Sequence, residues 1–221
     1  MARLKWHTAG SRELEAGVSE VILFPMDSDG TYDNGVAWNG VTAVNENPSG
    51  ADVTDLYADN IKYCSMTSAE KFGFTIEAFT YPNEWAECDG SAEAKTGVFL
   101  GQQPRKAFGL CYKTQIGDET HPGMNKGYKL HIIYNSTASP SGRGYSTIND
   151  NPDAISFSWE ANSTPVAFED YEYDAVCEIT VDSTKADPTK LADLVDMLYG
   201  DASNDSELPD PDTVLETLHV E

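Results

Sequence analysis

The chain has 221 residues, of which 40% are hydrophobic and 10% aromatic, so it can bury a sizeable core and is not disordered throughout. Its 37 acidic and 14 basic residues give a formal net charge of −23. Such a surface repels phosphate groups, which argues against a protein that grips DNA or RNA.

The cysteine pattern and the N-terminus indicate the cellular compartment in which the protein is made. The four cysteines have no CxxC pair and no zinc-site spacing, so we interpret them as reduced thiols, with Cys177 in the core. No secretory leader is recognisable, and no stretch approaches the roughly 18 apolar residues that a membrane span needs. The sequence therefore predicts a protein that is made in a cytoplasm.

The first third of the chain predicts an arm, two strands and a loop. Residues 1–18 are mixed and polar, and we expect an N-terminal arm whose Trp6 needs a surface to pack on. Residues 19–26 predict a short apolar strand, and residues 35–44 a second one, interrupted at Asn39-Gly40 by a tight hairpin turn or a bulge. Residues 45–67 show few regular repeats. Long irregular connections are usually functional, so we predict an interaction loop there.

Alternating residues predict most of the remaining sheet. Residues 71–81 predict a strand, and the segment 82–88 (PNEWAEC) a short flanking helix. Residues 106–116 and 127–135 predict a long antiparallel hairpin. The clearest alternation lies in 155–166 (ISFSWEANSTPV) and resumes in 175–182, and we expect these two strands to be neighbours.

The C-terminal part changes character. Asp187 as a cap, Pro188 at the first position and Gly200 as a stop predict a helix over 187–199. The acidic tail after it is expected to be loosely attached except at Val214, Leu215 and Leu218. The predicted organisation is an arm (1–18), a β domain (19–182) and a C-terminal helix with an acidic tail (183–221).

Few residues suggest chemistry. The segment containing Asp27, Asp29 and Asp33 only faintly resembles a calcium loop and is interpreted as a turn. The scattered histidines, including His131 on a strand, are interpreted as surface or interface imidazoles. Carboxylate pairs such as Glu77 with Glu160 or Glu178 arise by accident in an acid-rich chain. We expect no catalytic residue, no metal ligand and no cofactor.

Several segments in series carry a family resemblance. The segments YPNEWAECDGS, GQQPRKAFGLCYKTQIGDE, GYKLHIIYN and INDNPDAISFSWEANSTPV, followed by a helix and LPDPDTV, resemble the major tail proteins, or tail tube proteins, of long-tailed, siphovirus-like bacteriophages of Gram-positive hosts. The likeness spans roughly residues 23–218. It implies a mainly β protein, a two-sheet antiparallel β sandwich or barrel of the phage tail-tube type with a short flanking helix and a C-terminal helix.

The resemblance also implies an assembly and its partners. The chain would form homo-hexameric rings that stack into a tube around a tape-measure protein, between tail terminator and tip proteins, and it would reside in the virion after assembly in the host cytoplasm. DNA would pass through the lumen without specific binding, because an acidic wall repels it. Candidate lumen-facing residues are Thr75, Glu77, Glu178 and Thr180. Candidate inter-subunit residues are Trp6, Val53, Leu56, Tyr57, Arg105 and Lys106.

Other readings stay open at this point. A carbohydrate-binding β sandwich on a virion or cell surface would use Trp38, Trp85 or Tyr145 as a stacking platform for sugar rings. A β-sandwich hydrolase would use a pair of acids, and a capsid decoration protein would bind a capsid surface. Self-assembly into tubes would separate the tail-protein reading from these.

Overall fold

The fold is mainly β, with 43% of residues in strands and 11% in helices. The computed structural model describes residues 4–121, 123–148 and 154–219. The strands are β1 (Leu14–Pro25), β2 (Val36–Ala37), β3 (Val41–Glu46), β4 (Ser49–Gly50), β5 (Val53–Ala58), β6 (Ile61–Thr67), β7 (Glu70–Lys71), β8 (Gly73–Ala78), β9 (Ala92–Lys95), β10 (Val98–Leu100), β11 (Phe108–Gly117), β12 (Gly127–Ala138), β13 (Phe157–Ser163) and β14 (Glu178–Asp182). The helices are α1 (Trp85–Cys88), α2 (Pro188–Tyr199) and α3 (Pro211–Leu218). Within the described residues, none of these helices is long and apolar enough to cross a membrane.

One eight-stranded antiparallel sheet forms the body of the protein. Its order is β2-β1-β11-β12-β13-β8-β3, and β14 also pairs with β12. The hydrogen-bonded order puts four strands between β1 and β3, yet these two strands contact each other. The sheet therefore curls round so that its two ends face each other across a shared core. The predicted β11–β12 hairpin is confirmed.

Strand β12 takes most of the pairing that was predicted between residues 155–166 and 175–182. Residues 129–133 of β12 pair with β14, whereas residues 136–138 pair with β13. The strands β13 and β14 thus share one edge of a long neighbour, and the two predicted segments pair with each other only at the bridge between Val166 and Val176. The intervening residues let the chain pass from one half of that edge to the other.

The inner core lies between the two ends of the curled sheet. Alternate residues of the strands point into it, including the predicted Phe74, Ile76 and Ala78 of β8. At its centre, Trp85 lies 4.6 Å from Trp38 and 5.4 Å from Trp159 between ring centroids. Tilted and edge-on ring pairs of this kind contribute about 0.5–1.5 kcal/mol each beyond the area they bury.

A second core lies on the other side of β1, β11 and β12, where α2 and α3 cover the sheet. Helix α2 begins as predicted, because the Asp187 side chain accepts hydrogen bonds from the backbone N–H groups of Thr189 and Lys190. In the tail after α2, Val214 is buried in this core and Leu218 packs against it, as predicted, whereas the burial of Leu208 there was not predicted. The sequence did not predict α3, because only a few apolar residues mark this helix within an acidic segment.

Two further predictions differ from the structure near the N-terminus. Strand β1 starts at Leu14, so part of the predicted arm belongs to the sheet, with register shifts after Ala16 and Ser19 that interrupt the alternation. Asn39-Gly40 is neither a hairpin turn nor a bulge, because β2 pairs with β1 while β3 pairs with β8. It is a corner at which the chain crosses between the ends of the sheet, and Gly40 adopts a φ of 83° there.

Candidate functional site

The strands β5 and β6 form a hairpin that projects from the body, where the sequence predicted an irregular loop. They pair only with each other in the described part of the chain, and every residue of both strands is exposed. Asp59 and Asn60 form a two-residue turn with φ values of 50° and 65°. Positive φ at both central residues is typical of the turns that close tight hairpins. The sequence ADNI carried this turn signal, which the prediction missed.

The two faces of this hairpin differ in character. On one face, Asp55 forms an ion pair with Lys62 at 2.7 Å and accepts a hydrogen bond from Ser65 at 2.8 Å. On the opposite face, residues at alternate positions of β5 stand across from residues of β6, so their side chains share one surface. This apolar face consists of Leu56 and Ala58 of β5 together with Ile61, Cys64 and Met66 of β6, beside Thr54. Val53 and Tyr57 share the face of Asp55.

The exposure of these side chains is the unusual feature of the hairpin. Its large apolar residues, Val53, Leu56, Tyr57, Ile61, Tyr63 and Met66, are between 43% and 75% exposed. An isolated two-stranded hairpin is marginally stable in water, and a contiguous exposed apolar patch marks an interaction site. The hairpin is therefore a candidate interaction surface. Val53, Leu56 and Tyr57 were predicted as inter-subunit residues, whereas Ile61, Tyr63 and Met66 were missed.

Other apolar groups are also uncovered. In the N-terminal arm, Leu4 and Trp6 are about three-quarters exposed, beyond the point where Gly10 donates a hydrogen bond to Glu119. In the β9–β10 hairpin, residues 98–100 (VFL) are each 50% exposed. These segments and the β5–β6 hairpin leave the body at separate points of the chain, so they provide several candidate contact surfaces.

The predicted basic pair is internal to the chain. The Lys106 ammonium lies 2.8 Å from Glu87 and 3.2 Å from Asp27, and hydrogen bonds to these two carboxylates raise the pKa of Lys106. The half-buried Arg105 lies against Gly90, where an added Cβ would meet its guanidinium carbon at 3.0 Å. Both side chains thus tie α1 and its surroundings together, although Lys106 keeps some exposure.

The four predicted lumen residues fall on two different surfaces. Thr75 and Glu77 lie on the solvent face of β8, because their neighbours Phe74 and Ile76 point into the inner core. Glu178 and Thr180 lie on the opposite face of the curled sheet, the inner face that points towards the core. The sequence could not separate the two pairs, because each pair lies on the polar side of its own alternating strand.

A polar cluster closes the open end of the inner core around His131, which is 9% exposed. His131 is therefore not a surface imidazole, the first of the two alternatives that the sequence predicted. The ring stacks on Tyr112 at 4.7 Å between centroids, with an interplanar angle of 6°. Its Nδ1 atom lies 2.9 Å from Glu178 and 3.9 Å from Glu46, and its Nε2 atom 3.5 Å from Glu15. Strand pairing brings these carboxylates together from distant parts of the sequence.

Two pKa shifts describe the electrostatics of this cluster. Burial, then the hydrogen bond to Glu46, raises the pKa of Tyr112, so its hydroxyl stays protonated and donates to Glu46 at 2.6 Å. Burial opposes ionisation of Glu15, but hydrogen bonds from Lys129 and Thr114 outweigh it and lower the pKa of Glu15. The Glu15 and Lys129 side chains therefore form a charged pair at the edge of the cluster.

The other predicted chemistry is not supported by the geometry. Trp38 and Trp85 are buried in the inner core, so they are not a sugar-stacking platform, and only Tyr145 of that set is exposed. Asp29 accepts hydrogen bonds from the backbone N–H and the hydroxyl of Thr31, as expected for a turn. Cys177 is partly buried and lies just before β14 rather than in the core.

Comparisons with known proteins add no family. Neither a scan against protein-family models nor a search of the curated proteins gives a match to this chain.

Proposed function

We propose that this chain is a structural virion protein that assembles with copies of itself into stacked hexameric rings, forming the tail tube of a long-tailed bacteriophage. The observation that carries the proposal is the β5–β6 hairpin, whose apolar face has no cover within the described chain. The resemblance of the sequence to tail tube proteins supplies the kind of assembly. The tape-measure, terminator and tip proteins would be its further partners.

A second copy of this chain is a suitable partner for the hairpin. Residues 53–67 contain Asp55 and Asp59 against Lys62, which gives two negative charges minus one positive, or −1, in a chain of net charge −23. A segment with so little charge can approach another strongly acidic copy, since charges further apart than about 8 Å are screened at physiological salt. The apolar contacts can then exceed the remaining repulsion between copies.

The edges of the main sheet offer matching surfaces. The sheet order ends in β2 and β3, and β14 adds a third edge beside β12. Exposed edges carry unpaired N–H and C=O groups that favour pairing with another chain. Copies that pair along such edges would join neighbouring sheets into a ring, while the hairpins would contact the next subunit or ring.

The test is assembly of the purified protein with and without the apolar face. We expect the full chain to form tubes at high concentration in negative-stain electron microscopy. The triple variant Leu56→Ser, Ile61→Ser, Met66→Ser should remain a folded monomer, because these side chains make no core contacts that folding needs. Light scattering after size-exclusion chromatography measures the oligomeric state.

A matched control changes the polar face of the same hairpin. The triple variant Asp55→Asn, Lys62→Gln, Ser65→Ala removes the ion pair and its hydrogen bond but leaves the apolar face intact. It should form tubes like the parent chain. Monomers at every concentration of the parent chain, or normal tubes from the apolar-face variant, would contradict the proposal.

The residues that would line the lumen of the tube are those on the solvent face of β8 and β13. Glu77 on β8 and Glu160 on β13 both lie on this face, since Glu160 pairs with Thr75 and Ser158 pairs with Glu77. An acidic wall would repel passing DNA, so the double variant Glu77→Lys, Glu160→Lys should slow DNA ejection from phage with intact tails. The matched change Asp193→Lys, on the exposed side of α2, should leave ejection unchanged. Equal ejection rates in both variants would remove these residues from the lumen.

A further inference from the structure

The His131 cluster brings one imidazole and three carboxylates together. Three hydroxyl groups in it each donate to a carboxylate: Tyr112 to Glu46, Thr114 to Glu15 and Thr180 to Glu178. In one tautomer of His131, Nδ1–H donates to Glu178 at 2.9 Å. In the other, Nε2–H donates to the Thr114 oxygen at 3.1 Å, and Nδ1 has a lone pair, with the Thr180 oxygen 3.4 Å away.

The Nδ1 lone pair then faces two carboxylate oxygens. It lies 2.9 Å from Glu178 Oε1 and 3.9 Å from Glu46 Oε1, and the ligand atoms of all three residues lie within 4.8 Å of one another. Acceptor atoms at these distances repel each other unless a positive charge lies between them. A proton on Nδ1 or a metal ion would supply that charge.

The charge balance favours a divalent ion over a proton. Lys129 compensates Glu15, with which it forms an ion pair, so Glu46 and Glu178 leave two negative charges facing the imidazole. One additional proton on His131 balances only one of them, whereas a divalent cation balances both. These residues and Tyr112 are the titratable groups that β1, β3, β11, β12 and β14 direct at the ring.

We propose that Glu46, His131 and Glu178 form a binding site for one divalent transition-metal ion of the zinc type, with water completing its coordination. One imidazole nitrogen with two carboxylate oxygens is a donor set that zinc accepts at about 2.0–2.2 Å, which puts tetrahedral ligands about 3.4 Å apart. The distances of 2.9 Å and 3.9 Å from Nδ1 bracket this value, so small side-chain movements complete the site.

The outer contacts match those of protein metal sites. A ligating histidine usually donates its other ring N–H to a hydroxyl, carbonyl or carboxylate that orients it, as Thr114 and Glu15 do here. The Tyr112 hydroxyl holds Glu46, and the Thr180 hydroxyl holds Glu178. The Glu46 side chain is 37% exposed, which gives an ion a route from solvent.

The position of the site suggests what the ion does. Glu46 is the last residue of β3, which pairs with β8 at one end of the curled sheet, whereas His131 and Glu178 belong to the paired strands β12 and β14. An ion held by all three would tie β3 to β12 and β14 at the open end of the inner core. The site therefore couples metal binding to the closure of the curled sheet, and this inference does not depend on the identity of the assembly.

Zinc titration of the full chain, purified without a polyhistidine tag, tests the site. We expect isothermal titration calorimetry to give one zinc ion per chain and the midpoint of thermal unfolding to rise by several degrees, reversibly with EDTA. Cobalt(II) in place of zinc should give the visible absorption of a four-coordinate ion. The variants E178Q and H131Q should bind zinc at least tenfold more weakly.

Two further variants make the result decisive. E46Q removes a ligand whose side chain is partly exposed, so it keeps the fold even if a change at His131 does not, and it too should bind at least tenfold more weakly. E160Q changes an exposed glutamate on β13 outside the cluster and should bind like the parent chain. Unchanged binding in both E46Q and E178Q would overturn the proposal. So would a parent chain whose unfolding midpoint zinc does not raise.

Discussion

The β11–β12 and β5–β6 hairpins are built alike but differ in what surrounds them. Both are antiparallel pairs of neighbouring strands, each with one register shift. The first is buried on both faces, between the aromatic inner core and the helices, whereas the second has no buried residue. The body of the protein therefore covers most of its apolar residues within one chain, whereas the projecting hairpin leaves its own exposed.

Leucine substitutions in the two hairpins test this comparison most strongly. Leu110 on β11 is fully buried in the inner core, so Leu110→Ala should lower the free energy of unfolding by about 3 kcal/mol. Leu56→Ala on the projecting hairpin should change it by less than about 0.5 kcal/mol, because the side chain is already exposed. Chemical denaturation of the monomer measures both. Similar losses from the two changes would show that the hairpin is part of the folded core.

Two aspartates extend the comparison to pH. Burial opposes the ionisation of Asp182 at the end of β14, but hydrogen bonds from Thr184 and Lys185 outweigh it and lower the pKa of Asp182 to about 2. A lowered folded pKa favours the folded state above the ordinary value of 3.8, and this contribution is lost as the pH falls from there through about 2. Asp182→Asn should thus lower the free energy of unfolding by about 1–2 kcal/mol at pH 6. On acidification, the variant should then lose less stability than the parent chain does.

The control for this prediction is Asp55→Asn in the projecting hairpin. Hydrogen bonds from Lys62 and Ser65 also lower the pKa of Asp55, but this carboxylate lies on the projecting hairpin, outside both cores. Its replacement should leave the pH dependence of unfolding unchanged in denaturation experiments at pH 6 and pH 3. If Asp55→Asn flattened the pH dependence as much as Asp182→Asn, the hairpin would be coupled to global unfolding.

Helix α2 gives a smaller expected effect. It covers the sheet on the side of the second core, and Asp187 caps its first turn through two backbone N–H groups. Asp187→Ala should cost about 1 kcal/mol, whereas Asp187→Asn keeps an accepting oxygen and should cost little. Thermal unfolding of both variants measures the difference. An equal loss from both changes would assign the effect to the charge instead of to the cap.

Cleavage of the projecting hairpin should have the smallest effect on stability. Lys62 lies next to its exposed turn, so trypsin should cut the free monomer there early, and the cut chain should unfold at the temperature of the intact one. In assembled tubes the same bond should be protected. Mass spectrometry of timed digests gives the cleavage sites. Resistance of the monomer at Lys62, or equal cleavage in tubes, would contradict the comparison.

The sequence by itself determined the elements whose signals are local. Alternation identified β8, β11, β12 and β13, because one face of each strand packs on a core, and the Asp187, Pro188 and Gly200 signals located α2. Composition alone established the strongly acidic character. The irregular registers of β1 carry a weaker local signal, so its predicted start was wrong, and the short apolar pattern of α3 did not predict a helix.

Only the tertiary structure decided which side chains meet. Alternation tells which residues share a face of one strand, but not whether that face points to solvent or to the core, so Glu77 and Glu178 were grouped although they lie on different surfaces. The cluster around His131 depends on contacts of β12 with β1, β3 and β14, which are distant in sequence. Likewise, an alternating hairpin has the same sequence pattern whether other elements cover it or it projects into solvent, because exposure depends on which elements the fold places beside it.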